Sequence, residues 1–226
     1  MRLILVHSPL VGPASWGEVP AELAARGYAA QVATLPGWLG VARPYYPALA
    51  AALAQAVEPG DLLVLHSGAG GLAASVAALA ESRLAGMVFV DAILPHPGRS
   101  WFDTAAAPLG EALRAAASDG LLPSWDQWFP PGAIAALAPE GRIREAFLAE
   151  LRPAPLGYFD EPAPALEMPL GVGWSYLRLS KAYEAEAAQA RALGRPTLRL
   201  ELSHLAMMSH PAEVASSLVR LVRRAP

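Results

Sequence analysis

A serine at the end of an apolar run is the first residue in the sequence with a setting for covalent chemistry. Ser67 follows "DLLVLH" (61–66) and precedes "GAGG" (68–71), which predicts a buried strand, a tight turn and a glycine-rich helix start. A serine at the apex of such a turn can act as a nucleophile. The alternative is that Ser67 only caps the helix that follows it.

A serine hydroxyl is a weak nucleophile unless a neighbouring base removes its proton, and the chain has five histidines. His204 lies in a predicted loop between the last strand and the final helix. His66 is next to Ser67 on a strand, so we expect its side chain on the opposite side. We predict His204 as the base. The remaining three are better explained as a scaffold residue, a loop residue and a helix-entry residue: His7, His96 and His210.

Composition narrows the classes of protein and of site that are compatible with the sequence. The 226 residues are 54% apolar and 16% charged with a net charge of -3, which predicts a globular domain without the basic surface needed for nucleic acid. The absence of cysteine excludes disulfides, thiolate metal sites and a cysteine nucleophile. The histidines are scattered, so we expect no metal, and no G-x-G-x-x-G follows the first strand, so we expect no nucleotide cofactor.

Predicted strands and helices alternate along most of the chain. Such alternation indicates an α/β fold with a mostly parallel sheet and helices on both faces. The predicted strands lie at 2–7, 29–37, 61–67, 84–92, 173–180 and 196–202. The predicted helices lie at 14–28, 46–60, 70–83, 181–194 and 211–225.

The alternation is interrupted once, by a long stretch rich in proline and aromatic residues. This stretch is too long for a plain connection between two elements. We predict a core formed by residues 1–94 and 169–226, with a small helical cap inserted at 95–168.

Five motifs in chain order resemble those of the α/β-hydrolase fold family. They cover the loop after the first strand, the next loop, the turn at Ser67, the turn after the following strand and the late histidine segment: "LVHSPLVGPASW" (5–16), "LPGW" (35–38), "LHSGAGG" (65–71), "VDAILP" (90–95) and "SHLAMMSHPAEVASSL" (203–218). The turn departs from the usual G-x-S-x-G because Leu65 and Ala69 replace the two glycines. The resemblance implies Ser67 as the nucleophile and His204, last in the chain order of the triad, as the base.

The resemblance leaves two positions for the acid that orients the histidine. Most relatives carry it after the penultimate strand, where this chain has "YLRLSKAY" (176–183) without Asp or Glu. Glu184 and Glu186 follow on a helix and are expected on its solvated face. Some relatives, such as haloalkane dehalogenases, place the acid near the end of a strand that follows the nucleophile, which here is Asp91. We predict Asp91 as the acid, with a turn or cap residue as the alternative.

The oxyanion hole departs from the family pattern. One donor is normally the backbone N–H after the nucleophile, here Gly68, and the other comes from the loop after the first strand. In this chain the expected donor position is Pro9, which has no N–H. The second donor is therefore the Leu10 N–H, the Ser8 hydroxyl or absent.

The predicted activity is that of a serine hydrolase, an esterase or thioesterase acting on a small, largely apolar substrate. Aromatic residues of the cap, Trp125 and Trp128 among them, fit the roof of an apolar pocket or a small helical core, and Trp16 is a further candidate for the site. Because Pro9 weakens the oxyanion hole, the alternative is a non-hydrolytic lyase, cyclase or isomerase of secondary metabolism.

The expected partner is a small-molecule substrate, with no nucleic acid and no membrane, and a homodimer is left open. The N-terminal "MRLILVHSP" has too few apolar residues for a secretory signal, which needs about 7–15 in its apolar region. The chain is therefore expected in the cytoplasm.

Overall fold

The computed structural model describes residues 1–80 and 83–223. Among the described residues are eight strands: β1 (Arg2–Val6), β2 (Ala29–Ala33), β3 (Asp61–His66), β4 (Leu84–Val90), β5 (Leu121–Leu122), β6 (Ala154–Pro155), β7 (Trp174–Arg178) and β8 (Thr197–Arg199). The helices there are α1 (Val19–Ala25), α2 (Tyr45–Gln55), α3 (Ala73–Ala80), α4 (Trp101–Thr104), α5 (Ala107–Ala116), α6 (Arg142–Glu150), α7 (Leu156–Asp160), α8 (Glu184–Ala192), α9 (Ala206–Ser209) and α10 (Pro211–Val222).

Six strands form one sheet in the order β2-β1-β3-β4-β7-β8, and every neighbouring pair is parallel. The central strand β3 is buried along its whole length, as expected for a strand covered on both faces. One apolar layer packs α2, α3 and α8 against the sheet, and a second layer packs α1 and α10 against the other face. The predicted fold class, a mostly parallel sheet with helices on both faces, is confirmed.

Parallel strands bring their carboxyl ends to one edge of the sheet. The chain leaves β3 at Ser67, β4 at Asp91 and β7 at the turn that leads to α8. The loop that follows β8 carries His204 to the same edge. The topology alone therefore collects the chemically important turns at one edge.

The segment between β4 and β7 contains α4 to α7 and the antiparallel pair β5–β6. The sequence pattern predicts the helices but not this pair, because two-residue strands are too short to show a period of two. A cluster of aromatic rings holds the segment together: Trp101, Phe102, Trp128 and Phe159. The exact boundaries of a cap at 95 and 168 stay a prediction.

Three predicted helices differ from the structure at their first turns. The helix predicted from 181 begins with a 3-10 turn at 181–183, and its α-helical part starts at Glu184. Residues 67–72 form a tight 3-10 turn, so the helix predicted from 70 begins at Ala73. Residues 13–16 form another 3-10 turn, and the helix predicted from 14 begins at Val19. The ends predicted at 83 and 225 cannot be compared, because residues 81–82 and 224–226 lie outside the described residues. No helix among the described residues is long and apolar enough to span a membrane.

Candidate active site

The turn after β3 holds Ser67 in a conformation that side-chain-bearing residues rarely adopt. Its φ is 56°, in the left-handed region, which is the strained apex expected of a nucleophile turn. The turn is closed by Gly70, where a Cβ would lie 2.0 Å from the backbone oxygen of Ile93. Leu65, which replaces the usual first glycine, is fully buried in the apolar layer beneath the turn. The larger residue is therefore accommodated by core packing.

Asp91 and His204 are joined by a direct hydrogen bond. His204 Nδ1 donates to Asp91 Oδ2 over 2.9 Å, although the two residues are 113 positions apart. This bond fixes the tautomer with the proton on Nδ1 and leaves His204 Nε2 free to accept a proton.

The remaining acceptor sites of the Asp91 carboxylate are also used. Oδ1 accepts from the backbone N–H groups of Leu179 and Ser180, over 2.7 and 3.0 Å. Oδ2 accepts from the Ser180 hydroxyl over 2.6 Å. Asp91 is fully buried, so these bonds hold its carboxylate in one orientation. Ser180 thus stands in the turn after β7, where most relatives were expected to carry the acid, and it bonds the carboxylate of Asp91 from there.

The His204 imidazole contacts two further rings. The Tyr183 ring stacks on it at 7° with centroids 4.9 Å apart, and the His66 ring lies 4.5 Å away at 33°. His66 Nε2 donates to the backbone oxygen of His204 over 3.1 Å. Burial, and next the nearby His204, holds the pKa of His66 well below its usual range, so this imidazole is neutral. His66 therefore positions the loop that carries His204.

The side chain of Ser67 is hydrogen-bonded to Tyr183. The Tyr183 hydroxyl and Ser67 Oγ lie 3.3 Å apart. Within residues 1–80 and 83–223, Ser67 and His204 make no direct hydrogen bond. Tyr183 was not predicted from the sequence, since a tyrosine five residues after the end of β7 carries no local signal of this contact.

Ser67, His204 and Tyr183 line one cavity of about 1020 Å³. Aromatic side chains supply much of its remaining wall: Trp101, Trp125, Trp128 and Phe129. The Trp125 ring also lies 5.9 Å from the His204 ring. The two tryptophans predicted as site residues, Trp125 and Trp128, are therefore in the wall of the cavity that holds Ser67.

Glu186 lines the same cavity, which corrects the expectation that its side chain faces solvent. Its Oε2 is buried and has no hydrogen-bond partner among the described residues. Burial raises the pKa of this carboxyl, and the charge of Asp91 adds to the rise, while the backbone N–H of Glu186 opposes it. Glu184, by contrast, is exposed and pairs with Arg199 and Arg178.

The loop after β1 brings Ser8 to the turn at Ser67. A Cβ built on Gly68 would lie 3.1 Å from Ser8 Oγ, so the two residues are in close contact. The Leu10 N–H already donates to Ser8 Oγ over 3.3 Å, which leaves the Ser8 hydroxyl proton available. Of the donors that the sequence leaves open, the contacts favour the Ser8 hydroxyl over the Leu10 N–H.

Pro9 and Leu10 line a second cavity, of about 620 Å³, and not the one that holds Ser67. Leu35 and Trp38 form part of the wall of this second cavity. Pro9 nevertheless adjoins the turn at Ser67, because its Cδ lies 3.5 Å from a Cβ built on Gly68. The backbone of the β1 loop turns at Ser8, whose oxygen accepts from the N–H of Val11.

Trp16 is also placed differently from the expectation. It is fully buried in the apolar layer of α1 and α10 and contacts the His66 ring edge-on at 6.0 Å. The 3-10 turn at 13–16 directs its side chain under the sheet. Trp16 therefore supports His66 and does not line either cavity.

The lowered pKa values of three buried histidines lead to a prediction of how the stability of the fold depends on pH. Burial lowers the pKa of His7, His66 and His96 below the value of about 6.5 for an unfolded chain. Below pH ~6.5 the unfolded chain therefore binds protons that the folded chain does not, and stability falls as the pH falls. The melting temperature is expected to be highest above pH ~7 and to drop steadily below pH ~6.5.

Thermal unfolding at a series of pH values measures this effect. His66→Gln, which keeps a donor for the loop, is expected to flatten the acid limb, and His210→Gln at an exposed position is the matched control. An acid limb that is equally steep in His66→Gln and the wild type would contradict the assignment.

Among the described residues, no group of three or more His, Asp or Glu side chains could hold a metal ion. No protein-family model matches the chain. No curated protein matches it either.

Solved structures match almost the entire chain. A pyrethroid hydrolase has a TM-score of 0.76 at 20% identity, covering 99% of this chain and 98% of its own. Tomato methylketone synthase I, solved with 2-tridecanone, has a TM-score of 0.76 at 15% identity, covering 100% and 98%. An extracellular α/β-hydrolase from a Paenibacillus species has a TM-score of 0.72 at 19% identity, covering 98% of each chain. The chain therefore has the α/β-hydrolase fold.

Proposed function

We propose that the protein is a serine hydrolase that cleaves a small, largely apolar ester or thioester. The observation that carries the proposal is the 2.9 Å bond between Asp91 and His204 beside a cavity that also contains Ser67. The left-handed φ of Ser67 supports its assignment as the nucleophile. Three groups with these roles are what acyl transfer by a serine requires.

Ser67, His204 and Asp91 have distinct roles in the proposed reaction. Ser67 Oγ attacks the acyl carbon, its proton moves to His204 Nε2, and the electron pair of the carbonyl bond moves to the carbonyl oxygen. The imidazolium then donates that proton to the leaving alcohol or thiol. A water molecule repeats the sequence on the acyl-enzyme. Asp91 stabilises the imidazolium without becoming protonated.

The donors assigned to the oxyanion are the Gly68 N–H and the Ser8 hydroxyl. A backbone N–H directly after the nucleophile is the usual first donor. The Ser8 hydroxyl, which lies against Gly68, takes the place of the N–H that Pro9 lacks. A hydroxyl can rotate away from the oxyanion, so this hole is less rigid than one made of two backbone groups.

The wall of the cavity supports an apolar substrate. Rings such as Trp125 and Trp128 offer flat apolar surface, while charged side chains are few. A volume of about 1020 Å³ accommodates a molecule the size of a small aromatic or branched ester. The pyrethroid hydrolase and the polyneuridine aldehyde esterase among the structural neighbours carry names of the same reaction class.

A second candidate is a non-hydrolytic enzyme in which His204 acts as acid or base without a covalent intermediate. Two observations favour it: Pro9 removes a backbone donor, and Ser67 bonds Tyr183 instead of His204. The structural similarity to methylketone synthase is compatible with such a reaction. In this case Ser67 would contact the substrate but form no bond with it.

Covalent labelling distinguishes the two candidates. A fluorophosphonate reacts with an activated serine by forming a phosphorus–oxygen bond and releasing fluoride, while the serine proton passes to the base. We expect intact-mass analysis to show one adduct on the wild type and none on Ser67→Ala. Ser217→Ala, a buried serine on α10 remote from the cavity lining, is the matched control and should label fully.

If the wild type stays unlabelled although a thermal unfolding transition shows that it is folded, the hydrolase proposal is overturned in favour of the second candidate. An adduct that persists in Ser67→Ala would overturn the assignment of the nucleophile.

A further inference from the structure

Tyr183 contacts the reacting oxygen of the proposed hydrolase. Its hydroxyl lies 3.3 Å from Ser67 Oγ, and its ring stacks on the imidazole of His204 at 7°. No other residue in the described part of the chain contacts both members of the pair in these ways. A side chain in this position acts directly on the nucleophile or restrains it.

The elements around Tyr183 hold it in place. It ends the 3-10 turn Lys181–Tyr183 and directly precedes α8. Three residues earlier, at the residue that precedes this 3-10 turn, Ser180 is fixed to Asp91 by its N–H and its hydroxyl. The same turn therefore supports the acid with one residue and contacts the nucleophile with another.

The Tyr183 hydroxyl remains a hydrogen-bond donor throughout the neutral range. Burial raises its pKa, and the negative charges of Asp91 and Glu186 raise it further, while the bond to Ser67 opposes the shift. A phenol in this setting keeps its proton when the nucleophile loses its own. Its O–H can then point at the oxygen on which negative charge develops.

We propose that Tyr183 is a further catalytic residue, which donates a hydrogen bond to Ser67 Oγ during acylation and deacylation. The assignment rests on the proposed serine hydrolase function. In acylation the Ser67 proton passes to His204 Nε2 while Oγ forms the bond to the acyl carbon, and Tyr183 keeps its own proton. In deacylation a water molecule forms a bond to the acyl carbon and gives a proton to His204 Nε2. The bond between the acyl carbon and Oγ then breaks, the electron pair stays on Oγ, and His204 delivers that proton to it.

The donor acts on a different oxygen from the oxyanion hole. Negative charge develops on Oγ when Oγ loses its proton and again when it leaves the acyl carbon. A bond from Tyr183 to Oγ stabilises that charge, whereas the carbonyl oxygen depends on its own donors. A charge-assisted hydrogen bond of this kind contributes about 10–100-fold in rate.

Tyr183→Phe tests the proposal, because it removes the hydroxyl and keeps the ring on His204. We expect kcat for a chromogenic ester to fall about 10–100-fold with KM changed less than about twofold, and fluorophosphonate labelling to slow by a similar factor. The pH midpoint of labelling is expected to stay the same, since a phenol that remains protonated adds no ionisation. Tyr28→Phe, whose hydroxyl accepts from Arg223 away from the cavity, is the matched control.

Four outcomes separate the proposal from its alternatives. Unchanged kcat and labelling in Tyr183→Phe would overturn it, and a change confined to KM would make Tyr183 a wall of the pocket. Faster labelling would also overturn it, because Tyr183 would then restrain Ser67. If the wild type neither labels nor turns over esters, the hydrolase function fails first, and this assignment fails with it.

Discussion

Ester turnover by Ser67→Ala is expected to be about 10⁴–10⁶-fold lower than turnover by the wild type. The substitution removes the atom that forms the acyl-enzyme, and the remaining groups offer no substitute in its position. Ser67 sits in the left-handed region with φ at 56°, and alanine gains no new contact there, so the fold is expected to persist. Steady-state rates with a panel of chromogenic esters and thioesters measure the effect.

The same variant separates the hydrolase from the non-hydrolytic candidate. If His204 alone performs acid–base chemistry, Ser67→Ala retains much of the activity on the true substrate, whereas His204→Ala loses it. A hydrolase loses activity in both variants to a similar extent, because the groups act as one unit. A fall of less than tenfold in Ser67→Ala would rule out the acyl-enzyme route.

The sheet was predictable because its strands are short apolar runs between helices with clear stop signals. β3 is apolar along four consecutive positions, 62–65, and this run can be recognised from the sequence without knowledge of the tertiary structure. The helix starts at 67–72 and 13–16 were not predictable, since a 3-10 turn and an α-helical turn place their apolar residues at nearly the same spacing. The short pair β5–β6 exists only because its two segments meet in the folded chain.

The residues of the candidate site and its cavity differ in how visible they are in the sequence. Ser67 has a local signature, and Asp91 and His204 follow from their positions at strand ends. Tyr183 and Glu186 have no such signature, because the fold alone brings the turn after β7 against Ser67 and the cavity. A helix with alternating Glu and Ala favours the expectation of a solvated face, and only the packing of α8 beside the cavity reverses it for Glu186.

Trp16 illustrates the opposite error, because its position close to the β1 loop in the sequence led us to expect it in the site. It follows the β1 loop closely in the sequence, yet the tight turn at 13–16 sends its indole to the far side of the sheet. Trp16 contacts the His66 ring, and His66 in turn contacts the His204 ring, so Trp16 touches the site only indirectly. The direction of a side chain after an irregular loop depends on dihedral angles that residue types do not specify.

Replacement of Asp91 by asparagine is expected to lower kcat about 10⁴-fold and to leave the fold nearly intact. An amide nitrogen in place of Oδ2 cannot accept the proton on His204 Nδ1, so the imidazole loses the tautomer in which Nε2 accepts from Ser67. The amide oxygen can still accept from the N–H groups of Leu179 and Ser180. Asparagine also tolerates the φ of 42° at this position.

Alanine at the same position is expected to affect folding as well as catalysis. Asp91→Ala leaves the two backbone N–H groups that bonded Oδ1 buried without a partner, at about 1–3 kcal/mol each. It also places alanine at a positive φ, which adds strain. Urea unfolding should therefore show a clear loss of stability for Asp91→Ala and a much smaller one for Asp91→Asn, with a similar loss of kcat in both.

The matched control is Asp119→Asn, an exposed aspartate with a φ of 50°. It tests the exchange of Asp for Asn in the same backbone conformation without a partner histidine, and we expect unchanged kcat. If Asp91→Asn keeps activity within tenfold of the wild type, Asp91 is not the acid of the triad, and its bonds to the turn after β7 are purely structural. In the expected case Oδ1 anchors the turn that carries Tyr183, while Oδ2 orients His204 and also accepts from the Ser180 hydroxyl of that turn.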